Sequence, residues 1–291
     1  MLFSHRQAEF AKLYASKLFT LDGLRRLANN PRALYERSKA LFSDVNLKDT
    51  DETQTLAVYE QAFTFLSQMV PSSAVAFDQW LPALNNGDID QLGKLFAQYG
   101  SDKSTSHDYH LVYGSVLSSK RAAAFNILEI GLGTNNIDVP SNMGLGGKPG
   151  ASLRAFRDWA PRAHIYGADV DKRILFEEHR ISTFWVDQTD RDSLDRLRAS
   201  MGDRRFDLII DDGLHLPHAN INTLDALLPL LSEDGVFVVE DINGYYPFWS
   251  AATLVLNQRY DTYFTARKSA SIFIVRQRKG AEFDQRPIMR A

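Results

Sequence analysis

Phe125-Asn126-Ile127-Leu128-Glu129-Ile130-Gly131-Leu132-Gly133-Thr134 is the stretch from which the fold can be read. An apolar run ends in two glycines one residue apart, so a strand is delivered into a turn whose backbone can pass close to a ligand without a Cβ in the way. By itself a tight strand-to-helix turn explains the pair equally well. Its neighbours add weight. Downstream, short aliphatic or β-branched runs at His164 to Ala168, Ile181 to Val186, Phe206 to Asp211 and Val236 to Glu240 alternate with amphipathic stretches. That alternation predicts a parallel sheet flanked by helices. Two last runs, Tyr260 to Thr265 and Ser271 to Val275, are too close for a helical crossover and should pair antiparallel. The expected fold is α/β, a Rossmann-like seven-stranded sheet.

Upstream the texture differs. Phe10, Leu13, Tyr14 and Leu18, and again Leu56, Tyr59, Phe63 and Leu66, recur at helical spacing, with breaks at Pro31, Pro71 and Gly87. We divide the 291 residues into a helical N-terminal region, 1–95, that assembles an oligomer or covers a substrate, and an α/β domain, 96–291. A hydrophobic share of 44% with 24% charged residues is that of an ordinary globular protein. Lys and Arg number 33 against 36 Asp and Glu, which gives no general electrostatic reason to bind nucleic acid or anionic lipid. The absence of cysteine excludes disulfides, thiolate metal sites and cysteine nucleophiles. No apolar run at the N-terminus reaches signal or membrane-span length, so the expectation is a cytoplasmic protein without membrane insertion.

Several strand ends carry polar groups suited to a nucleoside. Glu129 stands two residues before Gly131 and can receive an ammonium or a water, while the absence of GxGxxG counts against a pyrophosphate. Asp169, at the end of the next strand, is placed to accept ribose hydroxyls; Asp171 is its competitor, and either could cap the helix that follows. Asp187 and Gln188 end the third strand where adenine would lie. Gly133, Ser152 and Asp211 complete the expected cofactor set. Strands four and five end in Asp211-Asp212-Gly213-Leu214-His215 and Glu240-Asp241. Carboxylates gathered there repel and call for a cation, and oxygen donors without thiolates favour Mg²⁺ or another hard divalent ion at Asp212, Glu240 and Asp241. The competing arrangement has one carboxylate on the cofactor, one capping a helix and one solvated. His215, three residues after Asp212, is the candidate general base, with His218 second.

Together these residues resemble the metal-dependent sugar O-methyltransferases of macrolide biosynthesis, the mycinamicin and macrocin type, and related methyltransferases of bacterial polysaccharide loci. The resemblance runs from about Tyr99 to Val275 and is carried by Gly100-Ser101-Asp102-Lys103 with His107 and Tyr109, by Leu128 to Gly133, by Pro149 to Trp159, by Ile165 to Asp171, by Ile209 to His215 and by Val238 to Ile242. It implies S-adenosylmethionine as methyl donor, Mg²⁺ at Asp212, Glu240 and Asp241, His215 as base, and a saccharide or glycosylated small-molecule acceptor. It also implies a homo-oligomer and no nucleic-acid partner. The segment between Gly133 and Gly150 is longer than a simple turn and reads as a lid over the cofactor or as a tolerated surface insertion. The rival readings are a metal-independent small-molecule methyltransferase, a nicotinamide enzyme, and a non-catalytic cofactor-binding assembly module.

Overall fold

A computed structural model of the chain describes residues 86–242, 246–256, 259–267 and 270–278. The helical reading of the region before residue 86 lies outside the described residues. The described residues begin with the helices α1 (Asn86–Tyr99), α2 (Asp102–Thr105) and α3 (Tyr109–Leu117). The sheet then opens with β1 (Asn126–Ile130) and proceeds through α4 (Ala151–Trp159), β2 (His164–Asp169), β3 (Glu177–Glu178), β4 (Ile181–Trp185), α5 (Arg191–Met201) and β5 (Phe206–Asp211). It closes with α6 (Pro217–Leu227), β6 (Leu231–Val239), α7 (Tyr246–Leu256), β7 (Tyr260–Arg267) and β8 (Ala270–Gln277).

The eight strands form one sheet in the order β3-β4-β2-β1-β5-β6-β8-β7. β1 is parallel to both β2 and β5, β4 is parallel to β2, and β6 is parallel to β5. β8 runs antiparallel to its neighbours β6 and β7, as the short connection requires. The expected seven strands are all present, and the eighth is the two-residue edge piece β3, antiparallel to β4. Its sequence, two exposed glutamates, has no strand signature; pairing with Ser182 and Ile181 creates it.

Central strands buried on both faces should be rich in apolar residues, and β1, β5 and the second half of β6 are, with the buried Glu129 and Asp211 standing toward the carboxyl ends of β1 and β5. On one face Phe96 of α1 meets Phe156 of α4 edge-on, with ring centroids 5.1 Å apart, and Tyr113 of α3 meets the same ring at 5.7 Å. α1 and α3 are thereby part of the same core as the sheet. Strand order reverses at β1, whose neighbours β2 and β5 lie on opposite sides, so a crevice opens beyond its carboxyl end. Among the described residues no helix is long and apolar enough to cross a membrane.

Candidate active site

A cavity of about 320 Å³ occupies that crevice, with Gly131, Gly133, Asp169 and Asp187 on one side and Asp212, His215, Glu240 and Asp241 on the other. The loop after β1 forms part of its wall through Val139, Pro140, Ser141 and Met143.

On the first side Asp169 is buried, and its carboxylate accepts the backbone N–H groups of Leu132 at 2.7 Å and Asp171 at 2.8 Å. Burial pushes its pKa up while these amide bonds pull it down, with a net rise. The two amides fix the carboxylate where it borders the cavity. Asp171 does something else. It accepts Thr134 Oγ1 at 2.6 Å, Asn136 Nδ2 at 2.7 Å and Arg173 Nε at 2.7 Å, and Arg173 reaches on to Asp138 at 3.1 Å. The Arg173 guanidinium, with the Thr134 and Asn136 donors, holds the Asp171 carboxyl well below the usual range. Asp171 thus pins the start of the 134–149 loop. Asp171→Ala should raise amide hydrogen exchange across 134–143 on the order of tenfold while leaving β1 and β2 protected. Unchanged loop exchange would show that the loop is held by other contacts.

Asp187 borders the cavity and accepts the N–H and hydroxyl of Thr189 at 2.9 and 2.7 Å. Gln188 also borders it, but its amide is consumed internally: Nε2 donates to Asp211 at 2.7 Å and Thr223 at 2.8 Å, and Oε1 accepts Leu214 N–H at 2.9 Å. Asp211 is fully buried, held by Gln188 and by Asn220 at 3.0 Å, and does not line the cavity. Glu129 and Ser152 are likewise behind the wall, joined to each other at 2.6 Å. The expected cofactor residues therefore divide. Gly131, Gly133, Asp169, Asp187 and Gln188 face the cavity, whereas Glu129, Ser152 and Asp211 brace the strand ends beneath it.

On the second side the carboxylates do converge, but around a side chain. Lys103 of α2 is 2% exposed, and its Nζ lies 2.5 Å from Asp212, 2.8 Å from both oxygens of Glu240 and 3.2 Å from Glu129. Burial disfavours the ammonium, yet Asp212, Glu240 and Glu129 outweigh it and hold its pKa well above that of free lysine. Burial, then the Asp212 charge, push Glu240 well up against the pull of Lys103 and Tyr113. Tyr113 donates to Glu240, and Tyr109 donates to Asp241 at 2.6 Å. Burial, with Glu240 and Asp241 alongside, raises the Tyr109 phenol.

Nearer the opening, one ligand atom each from Asp212, His215 and Asp241 lie within 4.8 Å of one another. His215 Nε2 is 3.7 Å from Asp212, while its Nδ1 is buried without a hydrogen-bond partner. His215 and Asp241 both have left-handed backbones, with φ of 57° and 54°, and such conformations on non-glycine residues concentrate at functional sites. His218, at the start of α6, does not line the cavity. His107 does, 3.5 Å from Asp102 and stacked on Tyr109. Lys103 and Tyr113 escaped sequence reading as parts of the acidic cluster. The four-residue spacing of Tyr109 and Tyr113 on one face of α3 was a usable signal for the second; nothing in the polar run Gly100 to His107 marks Lys103 as the buried member.

The strand order, with its reversed eighth strand and a crevice at the switch point, is that of the class I methyltransferase fold. The chain is similar to sugar O-methyltransferases that act on glycosylated natural products. It is 32% identical over 178 residues to 8-demethyl-8-alpha-L-rhamnosyl tetracenomycin-C 2'-O-methyltransferase of Streptomyces olivaceus, a match covering 61% of this chain and 44% of that protein. With mycinamicin VI 2''-O-methyltransferase of Micromonospora griseorubida it shares 39% identity over 100 residues, 34% of this chain and 24% of that one. The chain thus spans less than half the length of these two relatives. Among solved structures, the MycE methyltransferase in complex with Mg, SAH and mycinamycin VI superposes with a TM-score of 0.51 at 24% identity, over 66% of this chain and 56% of that one. No family model matches.

Proposed function

We propose that this chain transfers a methyl group from S-adenosylmethionine to a hydroxyl of a saccharide or glycosylated natural product, with a divalent cation such as Mg²⁺ at the acidic strand ends. The observation that carries the reading is the juxtaposition, in one cavity, of the amide-fixed Asp169 with the group Asp212, His215 and Asp241. Asp212 and Asp241, with the neighbouring Glu240, form an oxygen donor set that suits a hard divalent ion, and the His215 imidazole, whose Nδ1 is buried without a hydrogen-bond partner, stands beside that set. Such an ion, when bound, lowers the pKa of an acceptor hydroxyl.

The protein's own residues would do the rest. Asp169 would orient the ribose, with Asp187 beside the adenine. Asp212 and Asp241, with Glu240, would hold the ion, and the 134–149 loop would act as a lid that keeps water from the sulfonium. His215 would take the hydroxyl proton. The N-terminal region would cover the acceptor or assemble the oligomer through the residues before α1, since α1 itself, which includes residues 86–95, packs into the core of the sheet.

Methyl transfer to a glycosylated acceptor should cease in excess EDTA and return with Mg²⁺ or Mn²⁺. Full turnover in chelator would leave the metal-independent reading, for which the Lys103 ammonium beside Asp212 supplies a physical basis. Calorimetric titration with S-adenosylhomocysteine and with NAD tests the donor, and a preference for NAD would overturn it. His215→Gln should lower kcat by about 10²-fold, the usual contribution of a positioned base, while Mn²⁺ affinity stays within a few-fold. A matching loss of Mn²⁺ would make His215 a ligand instead of the base.

A further inference from the structure

Repulsion between the strand-end carboxylates calls for a compensating cation, and the chain supplies one itself. Lys103 comes from α2, a four-residue helix started by Ser101, whose hydroxyl accepts the Lys103 backbone N–H. Its ammonium gathers the ends of three strands: Glu129 in β1, Asp212 just after β5 and Glu240 just after β6. Three carboxylates face one ammonium and a fourth, Asp241, lies beside Asp212, so the formal charges of the cluster leave an excess of three negatives. A buried lysine holding several carboxylates is stable only while the charges match, and loss of one member leaves the others uncompensated. One positive charge gathers the group without neutralising it.

We infer that Lys103 is a positioning residue, the standing counter-charge of the carboxylate cluster, and that a divalent cation entering at Asp212 takes over part of its work. The second half rests on the divalent site proposed above; the first does not. The ammonium keeps Asp212 and Glu240 drawn together when no ion is present, so the site does not have to be assembled from mutually repelling groups. An ion at Asp212, Glu240 and Asp241 then meets a preformed set but competes with Lys103 for the Asp212 oxygen at 2.5 Å and for both Glu240 oxygens at 2.8 Å.

The test compares the full chain with Lys103→Met and with the double variant Lys103→Met/Glu240→Gln, by thermal unfolding in EDTA and in saturating MnCl₂ and by Mn²⁺ binding followed by electron paramagnetic resonance. In EDTA Lys103→Met should melt on the order of 10 °C below the parent, because a buried charge group has lost its counter-ion. Mn²⁺ should recover more than half of that loss and bind roughly tenfold tighter than to the parent, since a competing positive charge is gone. The double variant, which removes one negative charge along with the positive one, should melt between the two. If Lys103→Met cannot be obtained folded without metal, its recovery by Mn²⁺ or by Glu240→Gln supports the same assignment, and persistent unfolding of the double variant in Mn²⁺ overturns it. A Lys103→Met protein melting within about 2 °C of the parent in EDTA removes the counter-charge role. Equal stabilisation of both proteins by Mn²⁺ removes the competition. If Mn²⁺ binds neither protein, the divalent site itself is refuted, and the counter-charge role is decided by the EDTA comparison alone.

Discussion

Asp212→Ala should reduce turnover by on the order of 10³-fold or more while S-adenosylhomocysteine binds within a few-fold of its parental affinity. The separation of the two effects follows from where the carboxylate stands. Asp212 is the one side chain shared by the buried ammonium group and the outer group: it accepts Lys103 at 2.5 Å on one oxygen and lies 3.7 Å from His215 on the other. Its loss removes a donor from the proposed ion, a neighbour that orients the imidazole, and one of the three partners of Lys103. Lys103 keeps Glu240 and Glu129, so the fold should survive with a melting point lowered by a few degrees. The Asp169 side of the cavity is untouched, because Asp169 is fixed by backbone amides of residues 132 and 171. Initial rates with a glycosylated acceptor, set beside calorimetry with S-adenosylhomocysteine, check both halves. Turnover within tenfold of the parent would show that the acidic cluster is structural, and a parallel collapse of cofactor affinity would show that the two sides of the cavity are not separate.

What could be read beforehand was whatever depends on one strand at a time. β1 and β5 match their expected limits, and β2 and β4 differ by a single terminal residue: β1, β2 and β5 are buried along most of their length, while β4, only half-buried, keeps the β-branched and aromatic residues that mark a strand. β6 starts earlier than its apolar run, at Leu231, since pairing with Phe206 across a register shift recruits a polar stretch that propensity alone leaves out. The placement of β8 between β6 and β7 depends on which strand reaches the sheet, which local pattern does not encode. At the site the same division holds. Asp169 was legible from its position at a strand end, but the use of Gln188 to tie Asp211, Thr223 and Leu214 together requires knowing which strand ends are adjacent. Four acidic residues at strand ends pointed to a cation; that the nearest cation is Lys103, more than twenty residues upstream of the first strand, is a property of the packing of α2.

Gly131→Ala should be the most damaging glycine substitution around the cavity, with a melting point lowered on the order of 10 °C and cofactor affinity reduced by about 10²-fold. Its φ is 90°, and a Cβ built there would lie 2.0 Å from the Asp212 carbonyl oxygen, 2.6 Å from the carbonyl carbon and 2.9 Å from Gly213 Cα. These are backbone atoms, and they cannot retreat by a rotamer change. Nor can the strand ends spread cheaply: Gly131 N–H donates to Ala168 at 2.9 Å and Asp212 N–H to Ile130 at 2.8 Å, so β1 is bonded to both neighbours at the point of contact. Opening that contact would move Asp212, and with it the acidic group, away from Asp169. Two other glycines isolate the cause. Gly144 has a φ of 67° with nothing within 4 Å of where a methyl group would sit, so its alanine variant meets only the backbone cost of a left-handed residue, about 1 kcal/mol. Gly133, with a φ of 74°, meets only Met143 Cγ at 3.2 Å, part of a flexible side chain in the loop, and belongs in between. Unfolding curves for the three variants should therefore rank Gly131 well below Gly133 and Gly133 slightly below Gly144. If Gly131→Ala costs no more than Gly144→Ala, the β1 and β5 ends are looser than their hydrogen bonds imply, and the close approach that shapes the cavity floor is not what requires glycine there.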